Sequence, residues 1–391
     1  MHLLNSTLAI LATLSSLLLL WQWFAARRFP LHASTLARDF TPPVSILKPL
    51  KGCDETTAAS LQSWLTLCYG GPVEVLLGVA DASDPVCEVV RRLVAANPGC
   101  SARLVVCENL AGANAKVAKL VQLEKLAAHD LILISDADVR VPADFLNQVV
   151  APLREEKIAL VNCFYRLANP TTTAMQWEAV AVNADFWSQV LQSQMLQPLD
   201  FALGAVILVR RRALAEIGGF PPLANCLADD YQLGRRIARN GHRIALCPVV
   251  VECWDATQTW VQVWNHQLRW ARTIRICQPG PYFLSILANA SLWPLLWVAA
   301  ALKGDSWWAT LAVGCFLLLR ILLAWDLQRR FTPERVLVSP FWLTPVKDLL
   351  QAAIWLCAFL GNAVQWRGRK MKVRRDGSLI ELEPSSQTEL P

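Results

Sequence analysis

The 391-residue sequence is poor in charge. Only 17% of its residues are Asp, Glu, Lys or Arg, whereas 54% are hydrophobic and the mean hydropathy is +0.33. So few charges exclude an ordinary soluble protein, and the charges in the middle of the chain exclude a bundle made only of membrane helices. A soluble body joined to membrane segments satisfies both observations.

The sequence also lacks any CxxC pair or other metal-like spacing among its 12 cysteines. Two of them, Cys315 and Cys357, lie in long apolar runs. This scatter argues against a disulfide framework and predicts reduced thiols that serve as small apolar residues facing the cytoplasm. Internal repeats and low-complexity tracts are absent from the sequence as well.

The net charge of +6 comes from clusters of cations beside apolar runs, at 26–28, 327–330 and 367–375. Clusters in this position are typical of cytoplasmic membrane anchors. They therefore predict a lipid bilayer as partner and no nucleic acid.

The first apolar run, residues 3–24, is about one bilayer long. A signal peptide is the alternative interpretation, but no cations precede this run, and Arg27 and Arg28 follow it. We therefore predict an uncleaved transmembrane anchor over 1–26. The amino terminus is then outside, and the chain from residue 27 onward is in the cytoplasm.

Apolar character returns in the last third of the chain. Residues 281–325 contain two apolar runs joined by KGDS (303–306), which predicts a transmembrane hairpin. Residues 340–365 have basic flanks on both sides, so we predict a re-entrant or interfacial membrane segment broken near Pro345. The remaining 366–391 are predicted to be a basic and then disordered cytoplasmic tail.

The central part of the chain, 40–277, alternates short apolar runs with helical stretches. This alternation predicts an α/β domain with a mostly parallel, mixed sheet and helices on both faces. Ligands bind beyond the carboxyl ends of the strands in such sheets. The predicted strands are VSILKPL (44–50), VEVLLGVA (73–80), ARLVVCE (102–108) and LILISDA (131–137).

Acidic residues follow several of these runs, at Asp81, at Asp136 and Asp138, and at the pair Asp229 and Asp230. Residues at i and i+2 of a strand share a face, so Asp136 and Asp138 can converge on one cation. Hard oxygen ligands favour Mg²⁺ or Mn²⁺, and such an ion suits a diphosphate.

Each acidic motif taken alone has a structural interpretation. The DxD pattern is common in turns, Asp81 is suited to capping a helix over 84–96, and the pair at 229–230 is suited to capping a helix that begins near Tyr231. The combination of all three on one α/β pattern favours a ligand site.

A further motif is HQLRW, residues 266–270, in which His266, Arg269 and Trp270 share one helical face. Arg269 can donate to phosphate oxygens, and Trp270 supplies an aromatic wall. An interfacial amphipathic helix with snorkelling arginines is the alternative.

Together these motifs resemble the processive-type and lipid-directed GT-A glycosyltransferases of the family-2-like group. They are most similar to ceramide glucosyltransferases and to the hopanoid-biosynthesis-associated glycosyltransferases of bacteria. The motifs that carry the resemblance span nearly the whole chain: VSILKPLKG, VADASDP, GANAKVAKL, ISDADVRV, LADDYQLG and HQLRWARTIR.

The resemblance implies roles for the donor site. Asp81 matches the aspartate that holds the uracil end of a UDP-sugar, and Lys116 would lie near the nucleotide. Asp136 and Asp138 match the DxD-type site, which contacts the metal ion and the diphosphate.

For the acceptor side, Asp230 matches the catalytic base, with Asp229 where relatives often carry Glu. Arg269 and Trp270 match the RW of the family's Q/RxxRW motif. His266 departs from it, since it stands in place of Gln or Arg, and this HxxRW form favours a hopanoid-type acceptor over ceramide.

The resemblance implies a membrane-bound inverting glycosyltransferase. It would move a hexose or N-acetylhexosamine from a UDP-sugar to a lipid hydroxyl at the cytoplasmic face of a bacterial inner membrane. The alternatives are a polyprenyl phosphate or another glycolipid as acceptor, or a non-catalytic nucleotide-binding membrane scaffold. The sequence leaves open whether the sugar is glucose or N-acetylglucosamine, and which lipid accepts it.

Overall fold

In the computed structural model, the described residues are 2–33, 39–108, 110–301, 307–332, 340–366, 369–374 and 376–382. The strands within them are β1 (Val44–Pro49), β2 (Val73–Val79), β3 (Ser101–Val106), β4 (Leu131–Ser135), β5 (Val139–Arg140), β6 (Ile158–Leu167), β7 (Val206–Arg210), β8 (Arg243–Cys253), β9 (Ala363–Trp366), β10 (Arg369–Val373) and β11 (Leu379–Glu381).

The α-helices of the same ranges are α1 (His2–Arg28), α2 (Thr57–Leu65), α3 (Val86–Ala96), α4 (Ala115–Leu126), α5 (Phe145–Val149), α6 (Thr173–Val180), α7 (Trp187–Leu196), α8 (Arg211–Glu216), α9 (Asp229–Arg239), α10 (Trp260–Cys277), α11 (Pro279–Leu284), α12 (Leu292–Ala301), α13 (Trp307–Phe331) and α14 (Thr344–Phe359). A π-helical segment, Ala181–Phe186, joins α6 to α7.

Eight strands form one mixed, mainly parallel sheet in the order β3-β2-β1-β4-β7-β6-β8-β5. The predicted α/β fold is confirmed, and each of the four predicted strand runs contains a strand. Neighbouring residues of β1 face two different cores, since Ile46 belongs to one buried apolar cluster and Leu47 to the other. A sheet covered on both faces needs such continuously apolar strands.

Strands β2, β1 and β4 are adjacent and parallel, so their carboxyl ends lie at the same edge of the sheet. Asp81 follows β2 and Asp136 follows β4 at this edge. Antiparallel β7 begins there, and Asp136 N donates to Ala205 O at 3.1 Å. The topology therefore gathers the predicted acids at one edge.

Two helices of the described chain are long and apolar enough to cross a membrane, Leu3–Arg28 and Trp307–Phe331. The bent pair Pro279–Ala288 and Leu292–Ala301, with an angle of 48°, would make a third span if it is counted as one. Trp297 Nε1 donates to Asn5 Oδ1 near the start of α1, and Trp23 Nε1 donates to Asp326 Oδ2 near its end. Leu19 of α1 packs against Ala290, which precedes α12, and against Leu323 of α13. Taken with the two hydrogen bonds, this packing means that α13 runs parallel to α1, and α12 runs antiparallel to it.

The first arm of the expected hairpin over 281–325 is not one helix. It is divided into α11, a 3₁₀ turn and α12, and the break lies at Asn289. The side-chain oxygen of Asn289 accepts from the N–H of Leu292 at 2.9 Å, and its amide donates to Asp348 O at 2.7 Å. An Asn that satisfies a helix start in this way favours a break over a continuous helix. The KGDS link (303–306) lies outside the described residues.

Helix α14 occupies the segment for which we predict a break near Pro345. The helix begins there instead, with Pro345 in its first turn, where a missing N–H costs no helical hydrogen bond. Lys347 and Asp348 turn inward and are 5% and 3% exposed.

These two residues complete a closed set of four buried charges, here called the charge ring: Arg320 of α13, Lys347 and Asp348 of α14, and Asp185 of the π-helical segment. Arg320 lies 2.7 Å from Asp185 and 2.8 Å from Asp348, and Lys347 contacts both acids. Two cations face two anions, so the buried set is neutral. It joins the membrane helices to the α/β domain.

The basic segment after α14, expected to be a tail over 366–391, instead contains strands. β9, β10 and β11 form an antiparallel sheet in the order β11-β10-β9, here called the C-terminal sheet. Met371 and Val373 are buried, whereas Lys370 and Lys372 are exposed, which is the alternation of a half-buried strand. Residues 383–391, where the disordered part is predicted, lie outside the described residues.

Candidate active site

The DxD stretch follows β4 directly, and a buried lysine from the neighbouring strand holds it. Lys48 Nζ donates to Asp136 O at 2.7 Å and to Ser135 Oγ at 3.0 Å. The ammonium also lies 4.4 Å from the ring centroid of Trp64. Burial lowers the pKa of Lys48 to about 7, although the carboxylates of Asp136 and Asp138 oppose this shift.

Lys116 links the two acidic motifs. Its ammonium lies 2.8 Å from Asp136 Oδ1 and 3.4 Å from Asp229 Oδ2. Burial disfavours its charge, but the two carboxylates outweigh burial and raise the pKa of Lys116. Asn114 sets the start of α4, since its side chain accepts from the N–H groups of Lys116 and Val117.

Asp230 lies in the first turn of α9, and backbone donors fix its carboxylate. Gly204 N donates to Oδ2 and Tyr231 N donates to Oδ1, both at 2.7 Å. Burial and the adjacent Asp229 raise the pKa of Asp230 to about 6, and Lys116 and the two hydrogen bonds limit the rise. The carboxylate is thus mostly ionised at neutral pH and is held in one orientation.

Asp230 and the DxD motif both lie beside the loop that precedes β7. A Cβ placed on Gly204 would lie 3.1 Å from Asp230 Oδ2 and 3.8 Å from Asp136 Oδ2. Both carboxylates therefore lie beside the same backbone position, which only a residue without a side chain leaves open.

The donor set of the DxD motif fits a hard divalent cation that also binds a ligand. Burial, and then repulsion by the nearby carboxylates of Asp136 and Asp255, raise the pKa of Asp138 to about 7. A cation would relieve this repulsion. Within the described residues no three His, Cys, Asp or Glu side chains are grouped so that they could hold a metal ion.

Asp81 lies at the same edge of the sheet but is exposed. Its carboxylate accepts from Ser83 N at 2.8 Å, and this hydrogen bond lowers the pKa of Asp81. The start of α3 is held by Asp84, which accepts from Val86 N at 3.0 Å. Asp84 therefore has the capping role that the alternative interpretation gives to Asp81.

The HQLRW residues lie on α10. The ring centroids of His266 and Trp270 are 4.8 Å apart. Trp270 also packs against Phe186, with the two ring centroids 6.1 Å apart. His266 Nδ1 lies 2.7 Å from the buried Glu178 Oε1, and Arg269 is partly buried on the same helix. Glu178 thus holds the imidazole through its Nδ1.

The sequence motifs do not indicate two of these residues, Lys48 and Glu178. Lys48 stands inside an apolar strand and Glu178 inside an apolar helix, where a buried charge has no local partner. The lysine in VSILKPL was the one available signal, because a charge in a fully buried strand requires compensation. The signal for Glu178 is tertiary, since its partner His266 is 88 residues away.

A curled, mainly parallel sheet with acids at its strand ends is the fold of the GT-A glycosyltransferases. A solved structure of a mannosyltransferase from Pyrobaculum calidifontis, PcManGT in complex with GDP-Man and Mn²⁺, shares it. Its TM-score is 0.54 at 22% identity, with 88% of this chain and 98% of that chain covered. The expected GT-A fold is thus confirmed.

The chain belongs to glycosyl transferase family 21, whose sequence pattern matches residues 6–379. It is 23% identical to ceramide glucosyltransferase 1 of Caenorhabditis elegans over 359 residues, which are 90% of this chain and 76% of the relative. It is 26% identical to ceramide glucosyltransferase 3 of the same organism over 222 residues. That alignment covers 56% of this chain and 48% of the relative, so the chain matches about half the length of this protein.

Proposed function

We propose that the protein transfers a hexose or N-acetylhexosamine from a UDP-sugar to the hydroxyl of a membrane lipid, with inversion at the anomeric carbon. The observation that carries the proposal is the oriented, ionised Asp230 beside the DxD motif. Membership of family 21 and the likeness to ceramide glucosyltransferases support a lipid acceptor of ceramide or hopanoid type.

In the proposed reaction Asp230 accepts the proton of the lipid hydroxyl. The hydroxyl oxygen forms a bond to the anomeric carbon while the bond from that carbon to the diphosphate oxygen breaks, and UDP leaves with the electron pair. The two backbone donors hold the carboxylate in one orientation, so little rearrangement is needed for the proton transfer.

The donor would be held at the carboxyl ends of β2 and β4. Asp81 would contact the uracil, Lys116 and Arg269 the diphosphate, and Trp270 would line the site. Asp136 and Asp138 would hold Mg²⁺ or Mn²⁺, which stabilises negative charge on a diphosphate leaving group. The Mn²⁺ and GDP-Man bound to the mannosyltransferase neighbour support this use of the site.

We further propose that the enzyme is a multi-pass protein of a bacterial inner membrane with its catalytic domain in the cytoplasm. The basic ends of α1 and α13 lie together, since Arg27 Nε donates to Asp326 Oδ2 at 2.9 Å and Arg330 Nη2 to Phe29 O at 3.0 Å. Both ends would therefore lie on the same side of the membrane, and the positive-inside rule predicts that this side is cytoplasmic.

The experiment supplies radiolabelled UDP-glucose, UDP-N-acetylglucosamine or GDP-mannose to membranes that contain the protein, with ceramide, a hopanoid polyol or a polyprenyl phosphate. Labelled lipid from a UDP-sugar and one of the first two acceptors is the expected product. Asp230→Asn should abolish that product and leave UDP binding intact. If only GDP-mannose gives labelled lipid, the donor is not a UDP-sugar. If Asp230→Asn still turns over, Asp230 is not the base.

A further inference from the structure

The C-terminal sheet pairs with the chain that leads into the catalytic acids. Its last strand, β11, pairs with β10 along one edge. Along the other edge Leu379 N donates to Asn225 O at 2.7 Å, and Leu227 N donates to Gly377 O at 3.3 Å. Residues 225–227 thus pair with β11 as an additional segment at the edge of this sheet. Helix α9, which carries the acids, begins two residues later, at Asp229.

The same stretch is tied to the loop that starts α4. Asn225 Oδ1 accepts from Ala113 N at 2.9 Å. The amide of Asn114 donates to Cys226 O at 2.9 Å and to Asp229 Oδ1 at 3.2 Å. The two loops that carry the site's lysine and its acids are therefore held to each other, and β11 supports them from outside.

Apolar packing and α10 hold the sheet in place. One buried cluster consists of Leu227, Val364, Met371, Val373 and Leu379. On α10, Arg275 contacts the side chain of Asn362 and donates to Gly361 O at 3.4 Å. A displacement of residues 376–379 would thus be transmitted to the chain next to the acids.

We propose that residues 376–379 are a positioning element for sugar transfer, which holds residues 225–229 so that Asp230 meets the acceptor hydroxyl correctly. The inference rests on the proposed function. Residues 377 and 379 contact residues 225–227 directly and reach the loop of Lys116 through them, so their displacement should slow turnover much more than it weakens nucleotide binding. Misplacement of a catalytic group by about 1 Å can cost on the order of 100-fold in rate, so a smaller shift should cost roughly tenfold.

Gly377→Ala tests the turn. The φ of Gly377 is +83°, a conformation that favours glycine, and an added Cβ would lie 3.4 Å from Gln232 Nε2. The matched control is Gly241→Ala, because Gly241 has a φ of +87°, is exposed and has nothing within 4 Å of the added Cβ. An alanine is strained at either position because both φ values are positive, but only Gly377 pairs with the chain at 225–227.

The assay uses the full-length protein in phosphatidylglycerol vesicles, with UDP-glucose and UDP-N-acetylglucosamine as donors and with ceramide or a hopanoid polyol as acceptor. UDP titration with Mn²⁺ measures binding. We expect Gly377→Ala to lower kcat roughly tenfold with UDP affinity within twofold of wild type. Gly241→Ala should keep kcat within twofold. Equal kcat in both variants would overturn the proposal.

A second pair of variants tests the link on the other side. Asn225→Ala removes the acceptor for Ala113 N and should lower kcat, whereas Asn225→Asp keeps an acceptor oxygen there and should restore most of it. Equal losses in the two variants would contradict a positioning role.

Amide hydrogen exchange gives a readout that does not depend on turnover. Exchange over 225–231 should accelerate in Gly377→Ala and stay unchanged in Gly241→Ala, and unchanged exchange in both would overturn the inference. Failure of the proposed function looks different, because the wild type then gives no labelled lipid or Asp230→Asn stays active. Active wild type, inactive Asp230→Asn and unaffected Gly377→Ala would remove the positioning role alone.

Discussion

Neutralising one member of the charge ring should destabilise the protein strongly, and neutralising an opposite pair should restore much of the loss. Lys347→Met leaves one cation against two buried acids, and Asp185→Asn leaves two cations against one acid. An uncompensated buried charge costs about 3–5 kcal/mol. The double variant keeps the neutral pair of Arg320 and Asp348 and should lose only about 1–3 kcal/mol.

These losses of stability can be measured as decreases in Tm. At about 2 °C per kcal/mol for a large domain, each single substitution should lower Tm by about 6–10 °C. The double variant should lower Tm by only about 2–6 °C, measured by thermal unfolding of the protein in lipid nanodiscs. Lys125→Met, which changes an exposed lysine on α4, is the control and should shift Tm by less than about 2 °C.

Additive losses would refute this reasoning. If the double variant melts at a temperature lowered by both single shifts together, the four groups do not compensate one another. The neutral ring would then be a coincidence of packing.

Three further predictions concern the catalytic site. In the proposed mechanism Asp230 acts as a carboxylate, and its pKa is raised to about 6, so kcat/KM should rise with pH through about 6. Asp229→Asn, which removes a repelling charge, should move this limb to lower pH, and Lys116→Met, which removes an attracting one, should move it higher. EDTA should weaken UDP binding, and Mn²⁺ or Mg²⁺ should restore it in titration calorimetry. Lys48→Met leaves the carbonyl of Asp136 without its ammonium donor and should lower the free energy of unfolding by about 2 kcal/mol, measured by thermal unfolding.

The strands of the α/β domain could be predicted because a sheet covered on both faces demands unbroken apolar runs, as in β1, β2 and β4. The acids could be found because strand ends at one sheet edge must lie close together. The C-terminal sheet was missed although Lys370–Arg374 alternates cation and apolar residue, since the density of cations masked the period of two.

The compensation of buried charges could not be predicted. Arg320 in α13 is 28 residues from Asp348 and 135 residues from Asp185, and nothing local to any of them indicates the others. The break at Asn289 depends in part on the carbonyl of Asp348 in another helix. Such partners are set by how whole helices dock, which local patterns do not encode.

The contact between Trp23 and Asp326 spans 303 residues of sequence, and this separation affects how the protein is made. At roughly 5–20 residues per second of synthesis, α1 waits about 15–60 seconds in the bilayer before its partner leaves the ribosome. During that interval the nascent chain is tethered by a single helix while the catalytic domain folds beside it. Assembly of the membrane part is therefore a late event, and substitutions at either end of this contact should act on biogenesis before they act on turnover.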